Sequence, residues 1–529
     1  MNKYIVLVAP AACAVGMSTA VPALAQQALG NYGGSLIVSS STYTDTGFGV
    51  GTALPYNASG NLSGGSTLST SAASAFCANA NCSSNVWNNV TADANFGITS
   101  GIYLQNVSTT SGSVENTVDV TSLAAAEGIN LATSFSSKSE LAINLSSDGS
   151  SLTFMGYNAT VGQFDVSNAN TPGSVEPGNT DIQTATYRAV GQINLSNNAL
   201  QVTTTNAYNG NNGRAAIATA GGYYLVGNAG NGNGSAQTTL NTGVQYLSAA
   251  STNGGLGTNT QTGSYSITQQ GYGADKTAKD NNFRGETVFN NTLYVSKGSG
   301  SNGIDTVYQV GTTGSLPGSG APITVLPGFN TSLAKTDADG PHPFGIWFAN
   351  ASTMYVADEG SGASTDFGSS PTTQAGGLDK YSLVNGSWQL DYELKGALIG
   401  SSYTVNGSGG VCGGQSACSV STTTDGLRNL TGKVNTNGTV TLYAVTSTEG
   451  SVLGDAGADP NQIVAITDTL ADNTASQAIG ENFTVLDTAV LGQVYRGVAI
   501  APVPLPASAW LLLGGLGGLG IARRTRQSV

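Results

Sequence analysis

The fold of this chain is decided by a short unit, FRGETVFNNTLYVSKGSG, which runs from Phe283 to Gly300. Its Val, Thr, Phe, Leu and Tyr residues favour β-strands. The central Asn-Asn pair supplies the residues that a tight hairpin turn prefers. The unit therefore predicts a strand, a turn, a second strand and a closing glycine.

The same pattern recurs along the chain. Gly213–Gly230 and Pro343–Gly360 reproduce it closely, and looser copies surround Leu152 and Leu442. Several copies are followed by a second hairpin, as in GLDKYSLVNGSWQLDYEL from Gly377 to Leu394. Four short antiparallel strands per unit, repeated around an axis, predict a β-propeller. A solenoid is the alternative, although its repeats are shorter and more regular.

The two ends of the body complement each other. Tyr495–Pro502 reads as the first strand of a unit without a second, and Gly33–Gly47 reads as a second strand without a first. Together they predict a closing blade in which residues 34–41 pair with residues 495–501, which removes two open sheet edges. We therefore expect an all-β fold over residues 26–501, a single propeller of six blades, with seven as the alternative count.

One copy carries a family resemblance. It resembles a blade of the NHL family, whose pattern runs Pro-x-Gly-Ile, strand, turn and Leu-Tyr-Val-Ala-Asp. The matching residues are Pro343, Gly345, Ile346, Met354, Tyr355, Val356, Ala357 and Asp358. The copies that carry Arg-Gly depart from this pattern. NHL propellers include ligand-binding modules and some enzymes, so the resemblance implies a fold more than a function.

Composition bounds the function of the body. The chain has 529 residues, with 30 acidic against 17 basic side chains and a net charge of −13. A protein with this charge repels phosphate backbones, which argues against nucleic-acid binding. Charged residues make up only 9% of the chain and hydrophobic residues 39%, so the body has enough apolar surface for a core and too little charge for a charge-driven disordered chain.

The cysteines form two local pairs. Cys77 and Cys82 lie in a loop of about residues 52–95 that enlarges the closing blade, and Cys412 and Cys418 lie far along the chain. An even count in an exported chain favours two disulfides, each closing a small loop. A zinc site is the alternative, but neither spacing is the C-x-x-C of such sites.

The first residues predict export. Lys3 precedes an apolar stretch, and Ala23-Leu24-Ala25 stands just before Gln26. These are the positive region, the apolar region and the small residues of a cleavable signal peptide, which we assign to residues 1–25. A buried N-terminal helix is the alternative.

The last residues predict a membrane segment. Residues 506–522 form an uncharged stretch near the lower limit of the ~17–25 residues that span a bilayer. The motif Val503, Pro504, Leu505, Pro506 and Ala507 leads into this stretch, and Arg523, Arg524 and Arg526 follow it. The arginines are expected to hold the end on the cytoplasmic side. A plain C-terminal anchor is the alternative.

Residues 502–529 also resemble the PEP-CTERM sorting signal in its Val-Pro-Leu-Pro-Ala variant: a Pro-containing motif, an apolar helix and an arginine cluster. The resemblance implies processing by an exosortase after transient anchoring in the inner membrane. It also implies a place on the surface or in the extracellular matrix of a Gram-negative bacterium. It says nothing about what the body binds.

Candidate chemistry is sparse. The chain has one histidine, His342, which any Ser-His-Asp triad would have to use, and a loop residue at a blade entrance is the plainer interpretation. A site built from three histidines cannot be assembled. Asp337 and Asp339 resemble the start of a calcium loop, and Asp358 and Glu359 could join them from a strand end. A solvated acidic rim is the alternative.

Two function classes follow. The first is a non-enzymatic surface or matrix protein, associated with biofilm or exopolysaccharide, that needs no cofactor. The second is a secreted hydrolase or lactonase that uses a carboxylate-bound Ca²⁺ in the propeller channel. The scarcity of catalytic groups favours the first.

Overall fold

The computed structural model describes residues 27–43, 54–55, 82–83, 98–134, 137–163, 186–208, 211–229, 242–248, 256–258, 261–262, 266–268, 280–300, 302–337, 339–362, 375–412, 416–449 and 459–503. They form seven sheets, of which six are the blades of one β-propeller. The predicted fold class and the blade number of six are confirmed. The predicted helices at the two ends of the chain lie outside the described residues.

The closing blade joins both ends of the body. Its strands are β30 (Gln493–Ile500), β1 (Leu36–Thr42), β4 (Thr99–Val107) and β5 (Val114–Asp119), in that spatial order, and β6 (Thr133–Ser134) pairs with β4. Leu36 lies opposite Ile500, and Thr42 lies opposite Gln493. This is the pairing that the half-units predicted. Helix α1 (Val120–Ala126) follows β5, with its N-terminus capped by Asp119, which accepts a hydrogen bond from the Ser122 amide at 2.8 Å.

The other five blades follow in chain order. The second contains β7 (Asn144–Leu145), β8 (Ser151–Tyr157), β9 (Arg188–Asn194), β10 (Leu200–Thr205) and β14 (Leu256–Thr258). The third contains β11 (Gly213–Thr219), β12 (Gly222–Gly227), β13 (Gln245–Ser248) and β15 (Gln261–Thr262). The fourth contains β17 (Glu286–Phe289), β18 (Thr292–Lys297), β19 (Thr306–Val310), β20 (Pro322–Val325) and β16 (Ser266–Thr268).

The fifth blade contains β21 (Pro343–Asn350), β22 (Thr353–Asp358), β23 (Gly377–Val384) and β24 (Ser387–Leu394). The sixth contains β25 (Ser402–Gly407), β26 (Cys418–Val434), β27 (Thr439–Thr448), β28 (Gln462–Thr469) and β29 (Thr484–Thr488). Strands β2 (Leu54–Pro55) and β3 (Cys82–Ser83) form a separate ribbon. Short 3₁₀ helices span Leu29–Tyr32, Ala334–Thr336 and Gly409–Cys412.

Four strands per blade is therefore too simple a description. Strands β14 and β16 each add a fifth strand to the outer edge of a blade, in parallel to β10 and β20. Strand β14 comes from the segment between β13 and β15 of the third blade, and β16 comes from the segment between β15 and the fourth blade.

The core lies between neighbouring blades. Each second strand is buried on both faces, as in β8 and β12. Phe154 packs in the cluster shared with the closing blade, whereas the next residue, Met155, packs in the cluster shared with the third blade. Successive side chains of a strand point to opposite faces, so each blade packs against two neighbouring blades. Because both faces are buried, the apolar residues of these strands occur in continuous runs rather than at every second position.

Six inner strands surround the axis: β7, β11, β17, β21, β26 and β30. They approach one another closely near their first residues. A Cβ atom on Gly285 would lie 2.2 Å from the Phe344 carbonyl oxygen of the next blade, and one on Gly345 would lie 2.6 Å from that of Arg428. Only glycine fits at such a backbone contact. The inner ends of the blades therefore form a tight ring.

Candidate functional site

The channel through the propeller opens into a cavity of about 570 Å³, here called the wide cavity. All six inner strands, or the residues directly beside them, contribute to its wall. Its polar side chains are mostly amides and hydroxyls, and they include Asn144, Thr219, Thr287 and Thr431. These groups donate and accept hydrogen bonds without carrying charge. The wall therefore suits a neutral, polyhydroxylated ligand better than an ion.

Trp347 gives this wall its aromatic surface. The side chain is half-buried on β21, and Gly432 lies against it, where a Cβ atom would come within 3.1 Å of the indole ring. The ring centroid of Tyr355 lies 6.0 Å away at a tilt of 39°. An indole in contact with a glycine and a second aromatic ring is restricted in its orientation, which makes its cavity-facing part a rigid contact surface for a ligand.

Glu286 is the one ionisable residue among the described residues of this wall. Its side chain is 6% exposed, and among the described residues neither carboxyl oxygen has a hydrogen-bond partner. Burial raises the pKa of Glu286 well above its usual value, because no positive charge offsets the lost hydration. Burial thus favours the neutral, protonated form of this carboxyl group. Sequence reasoning missed it, although an acid within the predicted first strand of the unit Phe283–Gly300 was a signal.

A second cavity of about 330 Å³, the narrow cavity, opens at the other end of the channel. Its wall includes Lys138, Asp305, Asp337, His342 and Glu359. His342 precedes β21, at a blade entrance as the plainer interpretation had it. Its backbone amide donates to the carboxylate of Asp358 at 2.7 Å.

The four candidate calcium ligands do not converge. Asp339 is exposed, and Asp337 accepts a hydrogen bond from the Asn330 side chain at 3.0 Å. Asp358 accepts from the amides of His342 and Gly360. In the part of the chain that the structure describes, no group of three or more His, Cys, Asp or Glu side chains is placed to hold a metal ion.

Glu359 has a different role from the predicted one. Its carboxylate accepts from Arg428 Nε at 3.1 Å and lies 3.6 Å from Lys138 Nζ. Burial alone would raise the pKa of Glu359, but the positive charges of Lys138, Arg428 and Arg284 outweigh it and hold the pKa at about 2. Glu359 is therefore a buried counter-ion for basic side chains.

The two cavities are separated by what we call the arginine layer. It consists of one residue from each blade, placed just before the part of the chain that lines the wide cavity: Glu140, Arg214, Arg284, Phe344, Arg428 and Arg496. In four blades this residue falls in an irregularity of the pairing with the second strand. Such bulges re-aim a side chain. The residues that follow, among them Gly285 and Gly345, already line the wide cavity.

The cysteine prediction is confirmed for one pair. Cys412 and Cys418 form a disulfide with a Cα–Cα distance of 5.6 Å. Cys77 and the side chain of Cys82 lie outside the described residues, so that pair stays a prediction. Among the described residues no helix is long and apolar enough to cross a membrane, and the predicted helix at 506–522 lies beyond them.

Comparison with known proteins identifies no family. No protein-family profile matches the chain, and no curated protein matches it. Two crystal structures show a distant similarity, both of candidate 6-phosphogluconolactonases. The one from Bacteroides uniformis is 11% identical, with a TM-score of 0.33 over 73% of this chain and 78% of its own. The one from Bacteroides fragilis is 9% identical, with a TM-score of 0.35 over 76% and 96%. Similarity at this level carries no argument about activity.

Proposed function

We propose that this chain is an exported propeller of the cell surface or extracellular matrix, and that its wide cavity binds a neutral saccharide of that matrix. The observation that carries the proposal is the cavity wall, in which amide and hydroxyl groups from four of the six blades surround a cavity that carries one rigid indole. Saccharides present hydroxyl groups around their edge and an apolar ring face, and these are the two features that the wall complements.

The size of the cavity supports a short ligand. About 570 Å³ lies within the range of ~300–1,000 Å³ that holds small molecules. A monosaccharide or the end of a glycan chain fits this range. Because each blade contributes only a few groups, the specificity would come from the combination of blades rather than from one motif.

The route of the protein is part of the proposal. The signal peptide at residues 1–25 would export the chain, and the sorting signal at 502–529 would anchor it in the inner membrane until an exosortase releases it. The support is the sequence resemblance alone. Mass spectrometry of the released protein tests it: loss of the residues after about Ala507 is expected, and a peptide ending in Ser528-Val529 would contradict it.

Binding is tested by a glycan array on the exported protein, followed by calorimetry with the best neutral ligand. Trp347→Ala should weaken affinity about tenfold, or roughly 1.4 kcal/mol, because the stacking surface is lost. Thr287→Val keeps the side-chain shape and removes one hydroxyl group, so a loss of about two- to tenfold is expected.

Thr467→Val is the matched control, since Thr467 is exposed on β28, the third strand from the axis of the sixth blade. It should leave affinity unchanged. Equal losses in Thr287→Val and Thr467→Val, or no neutral glycan bound by the unmodified protein, would overturn the proposal.

A further inference from the structure

Two guanidinium groups of the arginine layer lack an acidic partner. Arg214 and Arg284 are 3% and 8% exposed, and both donate to the hydroxyl oxygen of Ser139 at 2.9 Å. Arg214 also donates to Asn282 Oδ1 at 2.5 Å and to the Phe283 carbonyl at 2.6 Å, and Arg284 donates to Ser299 Oγ. Within the described part of the chain, neither forms an ion pair with a carboxylate.

This arrangement is electrostatically unfavourable as it stands. Two like charges share one neutral acceptor in the interior, where hydration does not offset their repulsion. Burial, and after it the charge of Arg284, lower the pKa of Arg214 well below its usual value. A guanidinium nevertheless stays protonated in proteins, so the positive charge remains and attracts an anion.

The nearby carboxylates are already engaged. Glu140 accepts hydrogen bonds from Thr133, the Ser134 amide and Tyr157. Glu359 is shared by Arg428 and Lys138. Neither is placed to neutralise the Arg214–Arg284 pair by direct contact, so the layer keeps an excess of positive charge at this point.

The narrow cavity leads to this point. Its wall includes Ser299, which accepts from Arg284, and Lys138, whose side chain is 28% exposed and which directly precedes Ser139. Two acids at its mouth have partners of their own: Asp305 pairs with Lys297, and Asp337 accepts from Asn330. The narrow cavity therefore borders the arginine pair through Ser299 and Lys138.

We propose that Arg214, Arg284, Ser139 and Lys138 form a binding site for one small oxyanion, a carboxylate, sulfate or phosphate group, that enters through the narrow cavity. Two guanidinium groups can present a fork of donors to such a group. The site lies on the opposite side of the arginine layer from the wide cavity. It holds whether or not the wide cavity binds a saccharide.

Calorimetry of the full chain with sodium sulfate, phosphate, acetate and glucuronate tests the site, with chloride added to constant ionic strength and methyl glucoside as the uncharged control. One of the oxyanions should bind saturably with one equivalent, and methyl glucoside should not compete for it. Tighter binding of glucuronate than of acetate and sulfate assigns the site to an acidic sugar. The reverse order assigns it to a free anion.

Arg284→Gln should weaken oxyanion binding at least tenfold, because one arm of the fork is lost. Lys138→Gln should weaken it about threefold, and this partly exposed residue keeps the test valid if Arg284→Gln does not fold. Lys433→Gln removes the same charge from an exposed position on β26 and should change affinity less than twofold. Absence of binding above the chloride background, or equal losses in Lys138→Gln and Lys433→Gln, would overturn the proposal.

Discussion

The two ends of the channel belong to one propeller, yet they differ in chemistry. The described wall of the wide cavity carries amides, hydroxyls, one indole and one carboxyl group, whose neutral form is favoured by burial. The arginine layer and the narrow cavity carry paired and unpaired charges. The difference lies in a step of two residues along each strand: Arg284 belongs to the layer, and Glu286 lies at the wide cavity. A propeller can therefore change the chemistry of its channel without changing its fold.

The largest effect should come from removing a buried negative charge at the narrow end. Glu359→Gln should destabilise the fold by roughly 3 kcal/mol at pH 7, because Lys138 and Arg428 lose their counter-ion. The folded pKa of about 2 lies below the usual 4.5, so this stabilisation is complete above pH 4.5 and is lost as the pH falls towards 2. Urea unfolding of both proteins at pH 7 and pH 3 measures the loss of stability and its decrease at low pH.

Glu393→Gln is the matched control for this substitution. Glu393 pairs with Lys395 at 3.1 Å, but both side chains are about one-third exposed. An exposed pair contributes at most about 1 kcal/mol. If both variants lost a similar amount of stability, the buried ion pairs of Glu359 would contribute no more than the exposed pair of Glu393.

Removing the disulfide should have the second-largest effect on stability. Cys418 precedes Arg428 on β26, so the Cys412–Cys418 link belongs to the narrow end of the sixth blade. Replacing both cysteines by serine should cost about 2 kcal/mol, since the link closes a short loop in the unfolded chain. Saccharide affinity at the wide cavity should stay unchanged. A loss of that affinity would show that the two ends are coupled.

At the wide cavity we expect a substitution that increases the free energy of unfolding instead of lowering it. Glu286→Met should stabilise the fold by about 1 kcal/mol at pH 8, because an unpartnered carboxyl group is replaced by an apolar side chain of similar length. A raised folded pKa favours the protonated form, so the contribution of Glu286 to the stability of the unmodified protein is greatest below about pH 4.5 and declines as the pH rises towards the folded pKa. Glu286→Met should remove that decline.

Thermal unfolding between pH 4.5 and pH 8 measures this prediction. Glu286→Gln serves as its companion, since it also removes the titration but keeps polar atoms. If Glu286→Met were destabilising at every pH, the carboxyl group would have to be satisfied by a bound group, and the wide cavity would be more polar than its wall indicates.

The smallest effect concerns salt. Affinity for a neutral saccharide at the wide cavity should change less than about twofold between 50 and 500 mM NaCl, because no net charge is brought together there. Oxyanion binding at the narrow end should weaken over the same range. Parallel titrations measure both. An equal salt dependence at both ends would remove the distinction between them.

The fold could be predicted from the sequence because its repeats are local. The strand–turn–strand units at Phe283–Gly300 and Pro343–Gly360 carry their turn residues with them, and the half-units at the termini indicated the closure. The arginine layer could not be predicted. Its residues depend on irregularities of strand register, which are set by contacts between blades rather than by local sequence. The Arg-Gly pairs were visible only as departures from the NHL pattern.

The candidate site was also harder to predict than the fold. The acids Asp337, Asp339, Asp358 and Glu359 were grouped by their proximity in sequence, and the structure gives each different surroundings. Glu286 stands in a strand with no motif around it. Its significance comes from the absence of a hydrogen-bond donor or positive charge near its carboxyl group among the described residues. The sequence does not show which side chains surround it.

The pairing of β1 with β30 has a consequence for the order of events during synthesis. Gln493 donates a hydrogen bond to Ser40 across 453 positions of the chain. Strand β1 leaves the ribosome among the first and waits with its inner edge uncovered until nearly the whole chain has followed. A nascent chain that ends before β30 forms an open ring. The unpaired edge of its strand β1 can form hydrogen bonds with a strand of another copy. Pairing of β30 with β1 therefore competes with pairing between two unfinished molecules.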